Sequence, residues 1–472
     1  DWRSLHPGLQ HTMWAGMVLT NQFDTLVGVD EQGVLLPCGA KSWSTSADSR
    51  IFTFKIDTAR RFSDGGTLTA ADFKRSWEES YRLAPKSANS SLLDLLYKVE
   101  GFERFEQDGT LSGLEQVDGE TFRIHFKTPF RMALDYLYGT RFSAYRQADG
   151  KLIGTGKYVI EEIAPQRLRL TPNSHYSESH LLSPIELSVV APAETKAAFA
   201  DDQIDAIAYT RGSRIFSDIS AKPELTILPG PEAIHLVLNV NGQDGKLFQN
   251  FRLRRALQAI IYEKVVQEPT LVGSVGNFTV DSQIYLPIQA GRLEKTEADA
   301  MIRDGEKDIA ELAKASRSQP IVLLTDPVGY WVIDELKKRG IAVSEKSGNI
   351  PAQEYADYVY RRSDYDLIAT TFSVMNCDPD GIYHALGKNG SILAPITYRE
   401  PVGLLLEQGR KILAPAALND HYQKVSRAVL EQVPFVHLGF SRAVAIVRKD
   451  RVRVQADLIQ RNYGHLDAFG FK

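Results

Sequence analysis

The sequence predicts an α/β protein of more than one domain, and three observations carry that reading. The chain has 472 residues, and at roughly 100–200 residues per domain this favours two or three domains over one. Its later half alternates strand, helix, strand, helix, strand at the spacing of a parallel, doubly wound sheet. An earlier stretch alternates apolar and polar residues as half-buried strands do, with a helix set between them.

In the earlier stretch, Phe52, Phe54 and Ile56 fall on one side of a strand and Thr53 and Lys55 on the other. Phe122, Ile124 and Phe126 repeat the pattern against Arg123, His125 and Lys127, which puts His125 on the solvated face. Between them Thr69 is placed to cap a helix, with Asp72 three residues on as the capping-box acid. Phe73, Trp77 and Tyr81 follow at helical spacing, a stripe whose default meaning is core packing. Residues 40–150 therefore read as a strand-rich α+β unit.

In the later half, Ile321 to Leu324 suits a strand buried on both faces. A helix bearing Val332, Ile333 and Leu336 ends at Gly340, and Ile341 to Val343 starts a second strand. Tyr355 to Arg362 reads as another helix and Leu367 to Phe372 as a third strand. Ligands of such sheets lie beyond the carboxyl ends of the strands, which points at Phe372 through Pro379. Leu253, Leu257 and Ile261 form a helical stripe behind Asn250 as cap, and Leu236, Leu238 and Val240 mark a strand.

Composition narrows the function more by exclusion. Hydrophobic residues make up 43% and charged residues 24%, enough to build a core. Lys plus Arg number 55 against 59 for Asp plus Glu, so nothing invites nucleic acid or an anionic membrane. Cys38 and Cys377 lack CxxC partners, which excludes a zinc ribbon or a disulfide scaffold. No HExxH is present, and His175 and His180 read as surface loop residues. Gly154-Thr155-Gly156-Lys157 fails as a phosphate loop, with Lys151 and Tyr158 at two required places, and Val159 breaks a dinucleotide motif. Gly439-Phe440-Ser441-Arg442-Ala443 misses the nucleophile elbow at its last residue. No enzyme, cofactor or metal is expected.

Several blocks together resemble the peptide/nickel class of bacterial extracellular solute-binding proteins, family 5, which serve ABC importers. The resemblance starts at Leu36-Pro37 through Ser42-Trp43, Phe52 to Ile56, Arg61-Phe62-Ser63-Asp64-Gly65, Leu68-Thr69-Ala70-Ala71-Asp72-Phe73 and Ser76-Trp77. It continues at Gly154 to Tyr158, where the family usually has Pro in place of Lys157, then Leu170 to Asn173 and Tyr176. Phe251 to Leu257, Tyr365 to Leu367, Asp378-Pro379-Asp380 and His421-Tyr422 through Pro434 complete it.

The resemblance implies a two-lobed fold of the type II periplasmic-binding-protein kind, with an extra α+β domain and a ligand cleft between lobes. Residues 1–39, 151–231 and 439–472 would form lobe I, 40–150 the extra domain, and 232–438 lobe II with the β-α-β-α-β core. The implied role is capture of a peptide or peptide-like polar solute and delivery to permease subunits, by a monomer in a periplasmic or extracytoplasmic location. The chain as given begins at Asp1 with neither a Met nor a charged-then-apolar leader, which leaves the prior removal of a signal sequence open. A sensor of the same fold that signals to a regulator is the alternative.

Site residues also follow from the resemblance. Gln10, His11 and Trp14 lie where relatives contact ligand after their first strand, and Arg141 where relatives hold a ligand carboxylate. Phe372 is placed as a stacking wall. Met375, with Asn376 beside it, falls where peptide-binding relatives carry the Asp that pairs with the ligand's α-amino group. A thioether cannot neutralise an ammonium, so either free peptide N-termini are not bound in that way or Asp378 or Asp380 substitutes.

Overall fold

The computed structural model describes residues 5–9, 13–30, 34–83, 91–177, 183–190, 194–210, 224–272, 278–287, 289–324, 330–346, 364–373, 378–387, 400–454 and 469–471. The chain divides into two compact units. One comprises Asp1–Thr210, Ile215–Pro231 and Val444–Lys472, and the other Arg211–Arg214 and Glu232–Ala443.

In the first unit, four antiparallel strands lie in the order Ala40–Thr45, Ile51–Ile56, Thr121–His125, Leu114–Gln116. Phe52, Phe54 and Ile56 are buried, and Phe54 faces Phe122 across the ladder. The apolar set of both strands therefore turns to one side, where the helix Ala70–Leu83 lays Phe73, Trp77 and Tyr81. Trp77 meets Phe122 and Phe142 edge-on at 5.4 and 5.3 Å, and its indole N–H donates to the Phe142 carbonyl at 2.8 Å. His125 is half-buried and bonded to Glu115 at 2.9 Å.

The Leu68–Phe73 motif has a structural explanation. Asp72 accepts from the Thr69 backbone N–H at 2.9 Å, as a capping-box acid does, and the Thr69 hydroxyl donates to the same oxygen at 2.8 Å. Arg146 grips the Asp72 carboxylate through two nitrogens at 2.9 and 3.0 Å, and Arg75 adds a third at 3.0 Å. Burial alone would raise the Asp72 pKa; Arg146 and Thr69 more than offset it, and the acid lies below its usual range. The Arg146 guanidinium also stacks over Phe62 at 4.2 Å, which ties in the Phe62-Ser63-Asp64-Gly65 turn.

A three-stranded antiparallel sheet of Ile185–Ser188, Arg167–Pro172 and Tyr158–Ala164 follows in the first unit, with Met17 and Val18 of the helix Met13–Gln22 packed on Leu168 and Leu170.

The second unit centres on a larger sheet whose strands run Val343–Lys346, Ile321–Leu324, Leu367–Ser373, Leu225–Val240, Phe435–Arg448. The first three are parallel, with Ile321–Leu324 in the middle, so the strand order reverses there as a doubly wound sheet requires. Leu225–Val240 joins antiparallel, so the sheet is mixed rather than wholly parallel, as doubly wound folds that carry an antiparallel neighbour often are. The second strand begins at Val343, two residues later than expected; Ile341 is buried as a core anchor just before it. The expected helix at 355–362 lies outside the described residues. Asn250 caps the helix Phe251–Gln267 by accepting from Arg252 N–H at 3.0 Å, and Leu253, Leu257 and Ile261 are buried against the sheet's core. The boundaries at Pro231/Glu232 and Ala443/Val444 fall inside long strands, Leu225–Val240 and Phe435–Arg448.

Candidate functional site

The first unit holds a cavity of about 150 Å³, assembled around the end of the helix Met13–Gln22. Glycines explain how its walls come together. A Cβ on Gly154 would lie 1.9 Å from the Gln22 carbonyl oxygen, and one on Gly156 2.6 Å from that of Asn21. Only glycines let the 154–157 loop press so close, and the Gly156 N–H donates to the Gln22 carbonyl at 3.0 Å. Gly154-Thr155-Gly156-Lys157 is thus a packing device, which is why it fails as a phosphate loop. Asn173 clamps the loop from behind: its N–H donates to the Lys157 carbonyl at 2.8 Å and its side-chain amide to the Gly156 carbonyl at 2.9 Å.

That loop brings Thr155 and Lys157 to the cavity wall beside Asp24, Cys38, Arg60 and Tyr176. Asp24 accepts from Arg60 at 2.8 Å and from the Thr155 hydroxyl at 2.9 Å on one oxygen, and the Cys38 thiol approaches its other oxygen at 3.6 Å. The Asp24 charge holds the Arg60 guanidinium above its ordinary value. Burial, and then the same charge, pushes the Cys38 thiol up to about 12, so it stays protonated and unreactive. The site is a polar pocket with one neutral ion pair and an additional lysine. Among the described residues no cluster of three or more His, Cys, Asp or Glu is arranged to hold a metal ion.

Arg141 lies in the turn Thr140–Phe142, between Thr140 and Tyr138 of the cavity lining and the buried Phe142. Its half-buried guanidinium is pulled below its ordinary value by loss of water. Phe372 sits in the second unit, 3% exposed, with its ring stacked on the His235 imidazole at 4.5 Å and 11°. One face of that ring is already covered. Trp14 falls in the helix Met13–Gln22, with its side chain outside the described set, and Gln10, His11, Met375 and Asn376 are outside the described residues. Asp378 caps the short helix Pro379–Ile382 by accepting from Asp380 N–H at 2.9 Å. Asp380 is buried and held by Arg410 at 2.8 Å and the Tyr422 hydroxyl at 3.3 Å. Both acids are therefore engaged within the fold, and using Asp380 to pair an ammonium would mean breaking a buried ion pair.

Asp24, Arg60 and Thr155 were not legible as a site. They come from three separate segments, and only Lys157, standing where a Pro was expected, marked the region.

The described residues thus form a mixed α/β chain in two compact units, the first of which holds a pocket lined by polar and charged groups. Residues 35–273 match the family of bacterial extracellular solute-binding proteins, family 5 Middle, and the chain belongs to it. The periplasmic murein peptide-binding protein MppA of Escherichia coli is 27% identical over 176 residues, which take in 34% of this chain and 32% of MppA; the aligned part is about a third of that relative's length. Haemophilus influenzae OppA, solved in complex with RPPGFSPFR, superposes with a TM-score of 0.73 at 17% identity, over 99% of this chain and 96% of the other. The binding protein AgaA of A. tumefaciens R10, solved with agropinic acid, superposes at 0.76 and 18% identity over 100% of this chain and 96% of AgaA. At these identities the two structures establish the fold, the α/β periplasmic-binding-protein class expected from the sequence.

Proposed function

We propose that this chain captures a peptide or peptide-like polar solute outside the cytoplasm and delivers it unchanged to the permease subunits of an ABC-type importer. Membership of the solute-binding family is the observation that carries the reading. MppA, by its name a murein peptide binder, and OppA, solved with a nine-residue peptide, support peptides as the solute class. AgaA with agropinic acid favours a second version, in which the solute is a small polar acid. In this proposal residues 1–39, 151–231 and 439–472 act as one lobe, 40–150 as the extra domain and 232–438 as the other lobe, and a monomer in the periplasm suffices. The unit boundaries at Pro231/Glu232 and Ala443/Val444 support that division.

Native mass spectrometry of the purified protein, as isolated and after incubation with a di- to pentapeptide pool, tests the proposal. Selective uptake of peptides supports it. Uptake of acidic non-peptide solutes alone replaces the peptide class with the second version, and conversion of any bound molecule to product overturns the transport role.

A further inference from the structure

We propose that the buried His235–His437 pair is an acid-opened latch between the two long strands in which the chain passes from one unit to the other. The inference goes beyond the transport reading and stands without it, since its test uses no solute.

Position singles the pair out. Leu225–Val240 and Phe435–Arg448 are neighbours in the larger sheet, and the chain changes unit inside both, at Pro231/Glu232 and Ala443/Val444. His235 lies just after the first of these points and His437 just before the second. Their rings are joined directly: His235 Nδ1 and His437 Nε2 are 3.2 Å apart, and both residues are almost completely buried. A side-chain hydrogen bond thus ties strand to strand, in addition to the backbone ladder.

Chemistry makes this tie depend on protons. The Asp281 carbonyl accepts from His437 Nδ1 at 2.8 Å, which leaves His437 Nε2 as the acceptor and His235 Nδ1–H as the donor between the rings. A first proton enters at His235 Nε2 and leaves that bond in place. A second, on His437 Nε2, sets two N–H groups and two charges against each other, with ring centres 5.2 Å apart. The surroundings do little for such charges. Phe372 stacks on His235 at 4.5 Å, Phe440 meets both rings edge-on at 5.0 and 4.9 Å, and Phe435 lies 6.4 Å from His437. The charged groups that act on the pair are Asp281 and Arg292, from the segment after the strand Phe278–Val280, and they are paired with each other at 2.9 Å. Each imidazolium is therefore better solvated once the strands part and water reaches it. Burial accordingly holds both imidazoles below their ordinary range, His437 at about 4. From pH 7 to pH 5 the open form should gain about twentyfold from His437 alone.

Amide hydrogen exchange of the full chain at pH 7 and pH 5, corrected for the intrinsic rate, tests the latch in wild type and in His437→Gln. The Gln amide can donate to the Asp281 carbonyl and accept from His235 as the neutral imidazole does, but it takes up no proton. Thermal melts at pH 7 confirm that the variant is folded, and His235→Gln, which removes the other titrating ring, replaces it if not. In wild type, protection of residues 232–240 and 435–443 should fall at least about twentyfold from pH 7 to pH 5. Protection of Ile321–Leu324 and Phe251–Gln267, which lie in the same unit and carry no part of the latch, should not change. His437→Gln should lose about twentyfold less than wild type in the two latch segments. Equal falls in wild type and variant, or no fall in wild type, would overturn the latch. An equal fall in the two control segments would overturn it as well, because acid would then be unfolding the whole unit.

Discussion

Two buried clusters, one in each unit, handle titratable groups by opposite means. In the first, buried acids are paired: Asp72 lies among Arg146, Arg75 and Thr69, and Asp24 is held by Arg60 and Thr155. In the second, the His235 and His437 imidazoles meet at 3.2 Å, almost completely buried beside Phe372, Phe435 and Phe440. The Asp281 carbonyl can only accept, so His437 Nδ1 carries the proton that it donates at 2.8 Å; His437 Nε2 then accepts from His235 Nδ1–H. Both rings are neutral. The nearest charges, Asp281 and Arg292, are paired with each other at 2.9 Å. The difference teaches where each cluster is vulnerable: the paired acids to loss of a partner, the neutral imidazoles to acid.

The largest effect should come from breaking a pair in the first unit. Asp72→Ala strands Arg146 and leaves the Thr69 cap unmade, and should cost about 3–5 kcal/mol of stability, the usual range for removing one partner of a buried pair. Chemical denaturation measures it; a loss under 1 kcal/mol would mean that the pairing contributes little.

Acid should act through the second unit. Burial lowers the His437 pKa from 6.5 to about 4, and burial with the neighbouring His437 takes His235 well below 6.5. The unfolded chain therefore binds protons first as pH falls, so this contribution is fully present above pH 6.5 and is lost progressively from there towards pH 4. His437 alone accounts for about 3 kcal/mol across that window. Melting curves from pH 7 to 4 should show the decline, and His437→Gln should flatten it; an unchanged acid limb in the variant would sink the attribution.

A smaller change is expected at the packing glycines. Gly156→Ala forces the 154–157 loop away from the Asn21 carbonyl and should cost about 1–3 kcal/mol as an overpacking change. Denaturation midpoints of this variant and of Gly245→Ala separate steric contact from backbone strain, because a Cβ on Gly245 meets nothing within 4 Å although its φ is +77°. An unchanged midpoint for Gly156→Ala would mean that the loop yields to the added Cβ without cost. The smallest effect is kinetic: Cys38 should react with iodoacetamide at pH 8 far more slowly than an ordinary exposed thiol, and Asp24→Asn should speed it by removing the charge that helps hold the thiol protonated. Fast labelling of wild-type Cys38 would contradict its environment.

Much of the fold was legible because it depends on local pattern. Alternation found Ile51–Ile56 and Thr121–His125, a short apolar run found Ile321–Leu324 to the residue, and Asn250 announced the helix behind it. Register offers no such pattern, so the antiparallel entry of Leu225–Val240 beside the parallel strands went unseen. The site was harder for the same reason. Phe372 was read as a wall open to ligand, yet its ring is stacked on His235, a partner set by the opposite strand.

By itself the sequence determined the class of the molecule, its secondary elements and the family to which it belongs, since these follow from periodicity, caps and motifs written within a few residues of one another. Only the tertiary structure decided which charges meet. Asp24 finds Arg60 and Thr155, and His235 finds His437 at a separation of 202 residues, because strand register and close glycine contacts bring them together. Whether a buried group is then paired or neutral depends on what surrounds it in space, and no local pattern in the chain records that.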